Sequence, residues 1–319
     1  MRLLPSAVPA PVFALATLLA CVQLLPAAAI RVEAGDTDRT GLRVSVTLPK
    51  LEPRPNAVRV DGQVQPLQFL PDSEAASFLA GQLPKGTTAT YPLLHAPELL
   101  TAPRWQTERE GDKLLFRRAG PGRAFPLLEY QGEPGPLPRA GIPDLYRRGG
   151  YLHPIRTLSG QVVTDDFPAN HLHHHGVWWS WTKTTFDGRQ PDFWNMGQGK
   201  GRVDFVGVEA SWDGPVQAGF RARHRFIDLT SGQPVPVLEE TWDVTLGAAG
   251  TVWWFDLVST QRCSGPLPLR LPKYHYGGLG LRGPFAWNGA TNARFRTSEG
   301  VTNRVEAHAQ RSRWCDVAG

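Results

Sequence analysis

Glycine and proline are scattered along the whole chain, 33 and 29 of them in 319 residues, and this scatter leaves little room for long helices. An interior proline removes a helical hydrogen bond, and an interior glycine costs about 1 kcal/mol relative to alanine. Between these breaks, apolar and polar residues alternate with the period of a half-buried strand. Residues 42–48 and 203–208 show it. Residues 219–227 show it best: Phe220, Ala222, His224 and Phe226 face one way, and Arg221, Arg223 and Arg225 the other. Residues 237–258 read as a hairpin with Trp242, Val244 and Leu246 on one face and a turn at Gly247–Gly250. Its second arm, Val252–Val258, is apolar on both sides, which predicts a central strand. Residues 73–80 suit either a short helix or a strand. The fold class expected is all-β.

The Gly/Pro-dense segment 132–143 reads as a linker or long loop. A boundary near 140 divides the chain into a small immunoglobulin-like β-sandwich, 30–140, and a larger antiparallel region, 141–319. Residues 1–29 read as a signal peptide: Arg2 carries the charge, residues 11–25 the apolar stretch, and Ala27, Ala28 and Ala29 the small residues before cleavage. The apolar stretch is shorter than the ~20 residues of a membrane span, and no later segment comes near that length. Leu18–Cys21 also resembles a lipobox, which would place a lipid on Cys21. The expected location is therefore periplasmic or extracellular, with no integral membrane segment. The net charge is +5, but the basic residues are interleaved with Asp and Glu and form no run, so no nucleic-acid partner is expected. Cys263 and Cys315 would remain after export, and spacing does not say whether they meet.

Chemistry concentrates at residues 170–181, Asn-His-Leu-His-His-His-Gly-Val-Trp-Trp-Ser-Trp, which hold four of the nine histidines. On an extended backbone His171, His173 and His175 would share a face and His174 would point away. That face is an alternative ligand set for zinc or copper, given a fourth ligand. The favoured reading is a metal-free polar site in which His171, His173 and His174 move protons; the plain alternative is an exposed polar loop. Trp178, Trp179, Trp181 and Trp194 offer indole faces for sugar rings, with Asp192 as a neighbouring carboxylate, or else pack a core. His153 beside Pro154, Lys273 and His275 in a Tyr- and Gly-rich run, and Arg313 beside Trp314 are candidates for the same cleft. Arg313 and Asp316 also suit a plain ion pair. There is no Gly-x-Ser-x-Gly elbow, P-loop, His-Glu-x-x-His or dinucleotide fingerprint.

The run from Tyr151 to Trp181 resembles a family of bacterial proteins whose domain is labelled "methane oxygenase PmoA". His153-Pro154, Gly160, Val163-Thr164, Asp166-Phe167-Pro168, His171, His173-His174 and Gly176 match its pattern. Asp192-Phe193-Trp194, Gly277–Arg282, Ser298-Glu299-Gly300 and Arg313–Asp316 resemble further blocks, so the likeness covers roughly 141–319. Asn170, Leu172 and His175 stand where the family has Asp, Pro and Arg. The resemblance implies a β-supersandwich like that of galactose mutarotases, and a further block beyond Gly319. The methane oxygenase subunit itself spans a membrane several times, so methane oxidation is not expected. The expected function is an exported carbohydrate-active enzyme (lyase, hydrolase or epimerase) acting on a saccharide without a required cofactor. Lys273 or Arg313 would stabilise developing negative charge. A non-catalytic carbohydrate-binding module and a His-cluster metalloprotein are the alternatives. The residues carry no signal of oligomeric state.

Overall fold

The computed structural model describes residues 23–96, 105–119, 125–289 and 291–319. Residues 1–22 of the expected leader, Cys21 included, lie outside them; residues 23–29 run into the first strand. No α-helix occurs among the described residues, only strands and three single 3-10 turns. Among the described residues no helix is long and apolar enough to cross a membrane.

The N-terminal region is a small sandwich. One sheet has the order β1 (Gln23–Glu33), β9 (Thr88–His95), β4 (Ala57–Val60), β5 (Gln63–Pro66). The other has β3 (Arg43–Thr47), β7 (Ala75–Leu79), β6 (Gln68–Phe69), so the ambiguous segment 73–80 is a strand. Ile30, Val58, Val60, Tyr91 and Leu93 from the first sheet bury against Ala76 and Phe78 from the second. The short strands β2 (Arg39–Thr40) and β8 (Gln82–Leu83) pair at the side.

The larger sandwich packs six strands on four. The six are β10 (Trp105–Glu110), β11 (Lys113–Arg118), β12 (Leu128–Gln131), β13 (Tyr151–Ile155), β14 (Val177–Ser180) and β19 (Gly278–Leu281), in that spatial order. The four are β15 (Gly201–Trp212), β16 (Gln217–Asp228), β17 (Val235–Ala249) and β18 (Val252–Cys263). Every pairing in both sheets is antiparallel. Phe116, Tyr130 and Leu152 of the six meet Phe220, Ala222, Trp242 and Val244 of the four in a common core. A hairpin of β20 (Arg294–Thr297) and β21 (Cys315–Ala318) completes the chain. Cys263 and Cys315 are both free and exposed.

Three expectations change. Val252–Val258 is the core of β18, an edge strand rather than a central one. Its inward residues Trp253, Phe255 and Leu257 pack on the core, while its outer face turns toward the N-terminal sandwich, where Arg43 pairs with Asp256. The hairpin turn is at Gly250, not Gly247–Gly250: Gly247 and Ala248 stay in the ladder opposite Trp254 and Trp253. A Cβ on Gly247 would come within 2.5 Å of the Trp254 indole, so glycine there makes room for the ring. The Gly/Pro-dense segment 132–143 is a loop: Gln131 and Tyr151 at its two sides are paired partners of β12 and β13. The expected boundary near 140 thus lies inside one sheet, because β10 and β11 hydrogen-bond toward β12 rather than to the small sandwich.

One buried polar network ties the two large sheets together. The Tyr130 hydroxyl donates to His224 Nε2 (2.8 Å), and His224 Nδ1–H donates to Glu240 (3.1 Å). Ser259 and Gln261 donate to the other carboxylate oxygen of Glu240. Burial pushes the Glu240 carboxyl up, but the hydrogen bonds from His224, Ser259 and Gln261 outweigh it and leave it below the usual range.

Candidate functional site

The site lies on the outer face of the six-stranded sheet. Successive side chains on β14 point to opposite faces, so Val177 and Trp179 turn to the core while Trp178 turns outward. There Trp178 packs with Tyr151 and Trp194. Gly176 and Gly280 permit this layer: a Cβ on Gly176 would lie 2.1 Å from the Leu152 carbonyl oxygen, and one on Gly280 would lie 2.7 Å from the Trp178 ring.

The histidine run is not extended. His171 N–H donates to the Pro168 carbonyl and His174 N–H to that of His171, both at 2.9 Å, which folds the segment into two successive turns. Phe167 N–H donates to the His174 carbonyl and closes the loop. The faces expected for the histidines are therefore rearranged. His171 stacks on His174 at 4.7 Å between ring centroids, and His173 meets His174 edge-on at 4.6 Å. His174 also lies 5.0 Å from Trp178 and 6.0 Å from Trp194.

His175 turns elsewhere. It is fully buried between Tyr151 and Phe167, and its Nδ1–H donates to Asp166 at 2.7 Å. The Tyr151 hydroxyl donates to the other oxygen of Asp166 at 2.9 Å. This clamp fixes the tautomer, leaving a buried lone pair on His175 Nε2 without a partner. The set His171, His173 and His175 therefore does not form a ligand face. Among the described residues, no group of three or more His, Cys, Asp or Glu is arranged to hold a metal ion.

His173 and His174 are neutral near pH 7. Burial, then the neighbouring His171 and His175, lowers His173 to about 4 despite Asp192. Burial, then His173, His171, Arg282 and His175, lowers His174 to about 3. Such rings offer one N–H and one lone pair each, and they are weak bases until a ligand raises their affinity for protons. His174 Nδ1 and Trp178 Nε1 are buried with no partner. Arg282, just past β19, closes the other side. Its backbone N–H donates to the Gly176 carbonyl, and its guanidinium Nη2 donates to Asn170 Oδ1 at 3.2 Å.

The remaining candidates separate. Asp192 is committed to its own loop: one oxygen accepts from Trp194 N–H and Asn195 N–H, the other from Asn195 Nδ2 and the Thr182 hydroxyl. It shapes the loop that carries Trp194 rather than presenting a free carboxylate. Trp179 and Trp181 face the interior, and Trp181 Nε1 donates to Gln261. Trp178 is 2% exposed and Trp194 9%, their rings 4.9 Å apart, so neither offers an open face. The expected indole surface is thus not one platform. His153 lies on β13, hydrogen-bonded to Thr164 and with its pKa lowered by burial. His275 is exposed, between Tyr274, Tyr276 and His308. Lys273 is exposed beside it. Arg313 approaches Glu299 at 3.9 Å rather than Asp316.

Open aromatic surface is supplied instead by tyrosines. Tyr274 and Tyr276 are 45% and 38% exposed, and they line a cavity of about 300 Å³ with Trp181, Thr182, Lys183 and His275. Tyr276 packs on Trp194 at 5.6 Å, and its hydroxyl accepts from Asn195 at 3.2 Å, which joins this cavity to the histidine layer. Asn195 carried no sequence signal. Tyr276 and Arg282 stood out only as members of the glycine-rich run, without a role.

The model of the family of unknown function DUF6807 matches residues 125–319. No curated protein and no solved structure matches the chain.

Proposed function

The chain belongs to the family of unknown function DUF6807, and from its own site we propose an exported carbohydrate-active enzyme whose substrate lies over the His171–His173–His174 layer. The observation that carries this reading is the convergence of three imidazoles on a layer with unpartnered buried polar atoms, His174 Nδ1 and Trp178 Nε1. Native proteins pair nearly all buried polar groups, so two orphans at one spot favour a ligand that supplies their partners. A saccharide brings hydroxyls that both donate and accept, which suits neutral imidazoles and indole N–H. The Tyr274 and Tyr276 rings are the accessible stacking surface. His173 and His174 take the proton-transfer roles, because a bound hydroxyl or oxyanion nearby raises their affinity for a proton. The mutarotase-like supersandwich and the "methane oxygenase PmoA" relationship belong to this proposal. Export rests on the leader in residues 1–29.

The test is a screen of poly- and oligosaccharides by product analysis, followed by H173A and H174A on any substrate found. Turnover should vanish in both variants with the thermal melt within a few degrees of wild type. Retained turnover sinks the proton-transfer role. A second reading is favoured by one observation, the depressed histidine pKa values: a non-catalytic saccharide-binding module. In that case Y274A and Y276A abolish binding, and no product forms from any bound glycan.

A further inference from the structure

A cavity of about 830 Å³ lies between the end of β19, the turn at Phe285–Trp287 and the β20–β21 hairpin. Arg282, Arg304, Asn288, Asn303, Trp287 and Phe295 are among its walls. This volume is in the range of small-molecule sites. No Asp or Glu lines it. Arg282 spends Nη2 on two neutral amide oxygens, Asn170 at 3.2 Å and Asn288 at 3.4 Å, and its buried Nε has no partner. Arg304 has no hydrogen-bond or ion-pair partner among the described residues. Elsewhere in the chain arginines are commonly matched to acids, as in Arg221–Asp243, Arg223–Glu209 and Arg225–Glu239. Here two guanidiniums share a concave wall with neutral amides and two aromatic rings, and among the described residues no carboxylate pairs with either.

A planar guanidinium with free donors is complementary to a carboxylate, and an indole wall is complementary to the apolar face of a ring. We infer that this cavity binds an acidic saccharide, with Arg282 and Arg304 holding the carboxylate of a uronic acid residue and Asn288 and Asn303 meeting its hydroxyls. This inference rests on the saccharide reading above and names its substrate class. It also gives Arg282 a double position. The same residue borders the cavity and holds Asn170 at the start of the histidine loop. Its positive charge is one of the causes that keep His174 unprotonated. A carboxylate on Arg282 offsets that charge and raises the proton affinity of His174, so the bound acid prepares the neighbouring imidazole to accept a proton.

The experiment is calorimetric titration of the full chain with galacturonate and glucuronate, alongside galactose and glucose. The acids should bind at least tenfold more tightly than the neutral sugars, and the preference should weaken with added salt. R304Q, at an exposed position, should cost at least tenfold in affinity for the acid with an unchanged melt; R282Q should do the same, and R282K should recover part of the loss. The His174 pKa, followed by NMR, should rise when galacturonate is added to wild type and stay put in R304Q. Equal binding of acid and neutral sugars, binding of none of the four, or indifference to R304Q overturns the inference. Tricarballylate, a carboxylate without a sugar ring, separates the two layers. If it binds as tightly as galacturonate with the same arginine dependence, the saccharide class falls while the anion site stands. Turnover of H173A and H174A bears on the proposed enzyme alone.

Discussion

The Asp166 clamp makes a quantitative demand on stability. Its carboxylate accepts two hydrogen bonds, from the Tyr151 hydroxyl at 2.9 Å and from His175 Nδ1–H at 2.7 Å. Both donors are buried, Tyr151 at 6% and His175 at 0% exposure. Asp166→Ala removes both acceptors and leaves both donors without water. A hydrogen bond to a charged group contributes roughly 1.5–3 kcal/mol, so the loss should be about 3–5 kcal/mol after partial relaxation. Asp166→Asn is gentler. The amide oxygen still accepts from His175, and the Tyr151 hydroxyl can turn to accept from the new NH₂, so the cost should fall to about 1–2 kcal/mol. At about 2–4 °C per kcal/mol, the alanine variant should melt roughly 6–20 °C below wild type. Urea unfolding followed by tryptophan fluorescence measures both, with Trp178 reporting locally at 6.4 Å from His175. A cost below about 1 kcal/mol for the alanine variant, or an asparagine variant as damaged as the alanine one, would refute the clamp as drawn.

Three further expectations follow from the same geometry. The folded state holds His173 and His174 far below their ordinary pKa of 6.5, at about 4 and about 3, so the unfolded chain binds more protons on acidification. Their contribution is complete above pH 6.5 and drains away as pH falls toward 4 and then 3; H173N/H174N should flatten the melting temperature against pH over that window. Glu240→Ala strips His224, Ser259 and Gln261 of their shared acceptor and should cost about 3–5 kcal/mol by chemical denaturation, among the largest single losses in the chain. Gln68→Ala removes the side chain that docks the small sandwich, where Nε2 donates to the Gln217 and Asp213 carbonyls and Oε1 accepts from Val216 and Gln217 N–H. Calorimetry should then resolve two unfolding transitions in place of one, and a single unshifted transition would contradict this role.

The strands were legible wherever side-chain period alone decides structure. Phe220, Ala222, His224 and Phe226 alternate with three arginines, and β16 is built as that alternation demands. What failed were properties set by distant partners or by local turn chemistry. Val252–Val258 is apolar on both faces, yet whether such a strand is central depends on which segments arrive beside it, and none pairs on its far side among the described residues. An extended backbone would set His171, His173 and His175 on one face, but Pro168 and Asn170 are turn formers, and the turns change which imidazoles meet. The indoles were grouped by composition, whereas adjacent Trp178 and Trp179 on one strand must part to opposite faces. Asp192 two and three residues before the N–H groups it captures is an Asx turn, a signal present in the sequence and overlooked in favour of a binding role.

The alternation on β16 also governs which wrong structures the chain can reach. Sliding β16 by a single residue against β17 would carry Arg221, Arg223 and Arg225 into the space now filled by Phe220, Ala222 and Phe226, away from Asp243, Glu209 and Glu239. It would also pull His224 off both Tyr130 and Glu240, leaving one buried carboxylate oxygen of Glu240 without its donor. A long strand flanked by long strands is ordinarily free to misalign during folding; here every neighbouring alignment is penalised by three charges at once. The polar link between the sheets thus acts less as a source of stability than as a ruler, against which the chain measures that this long ladder has closed in step.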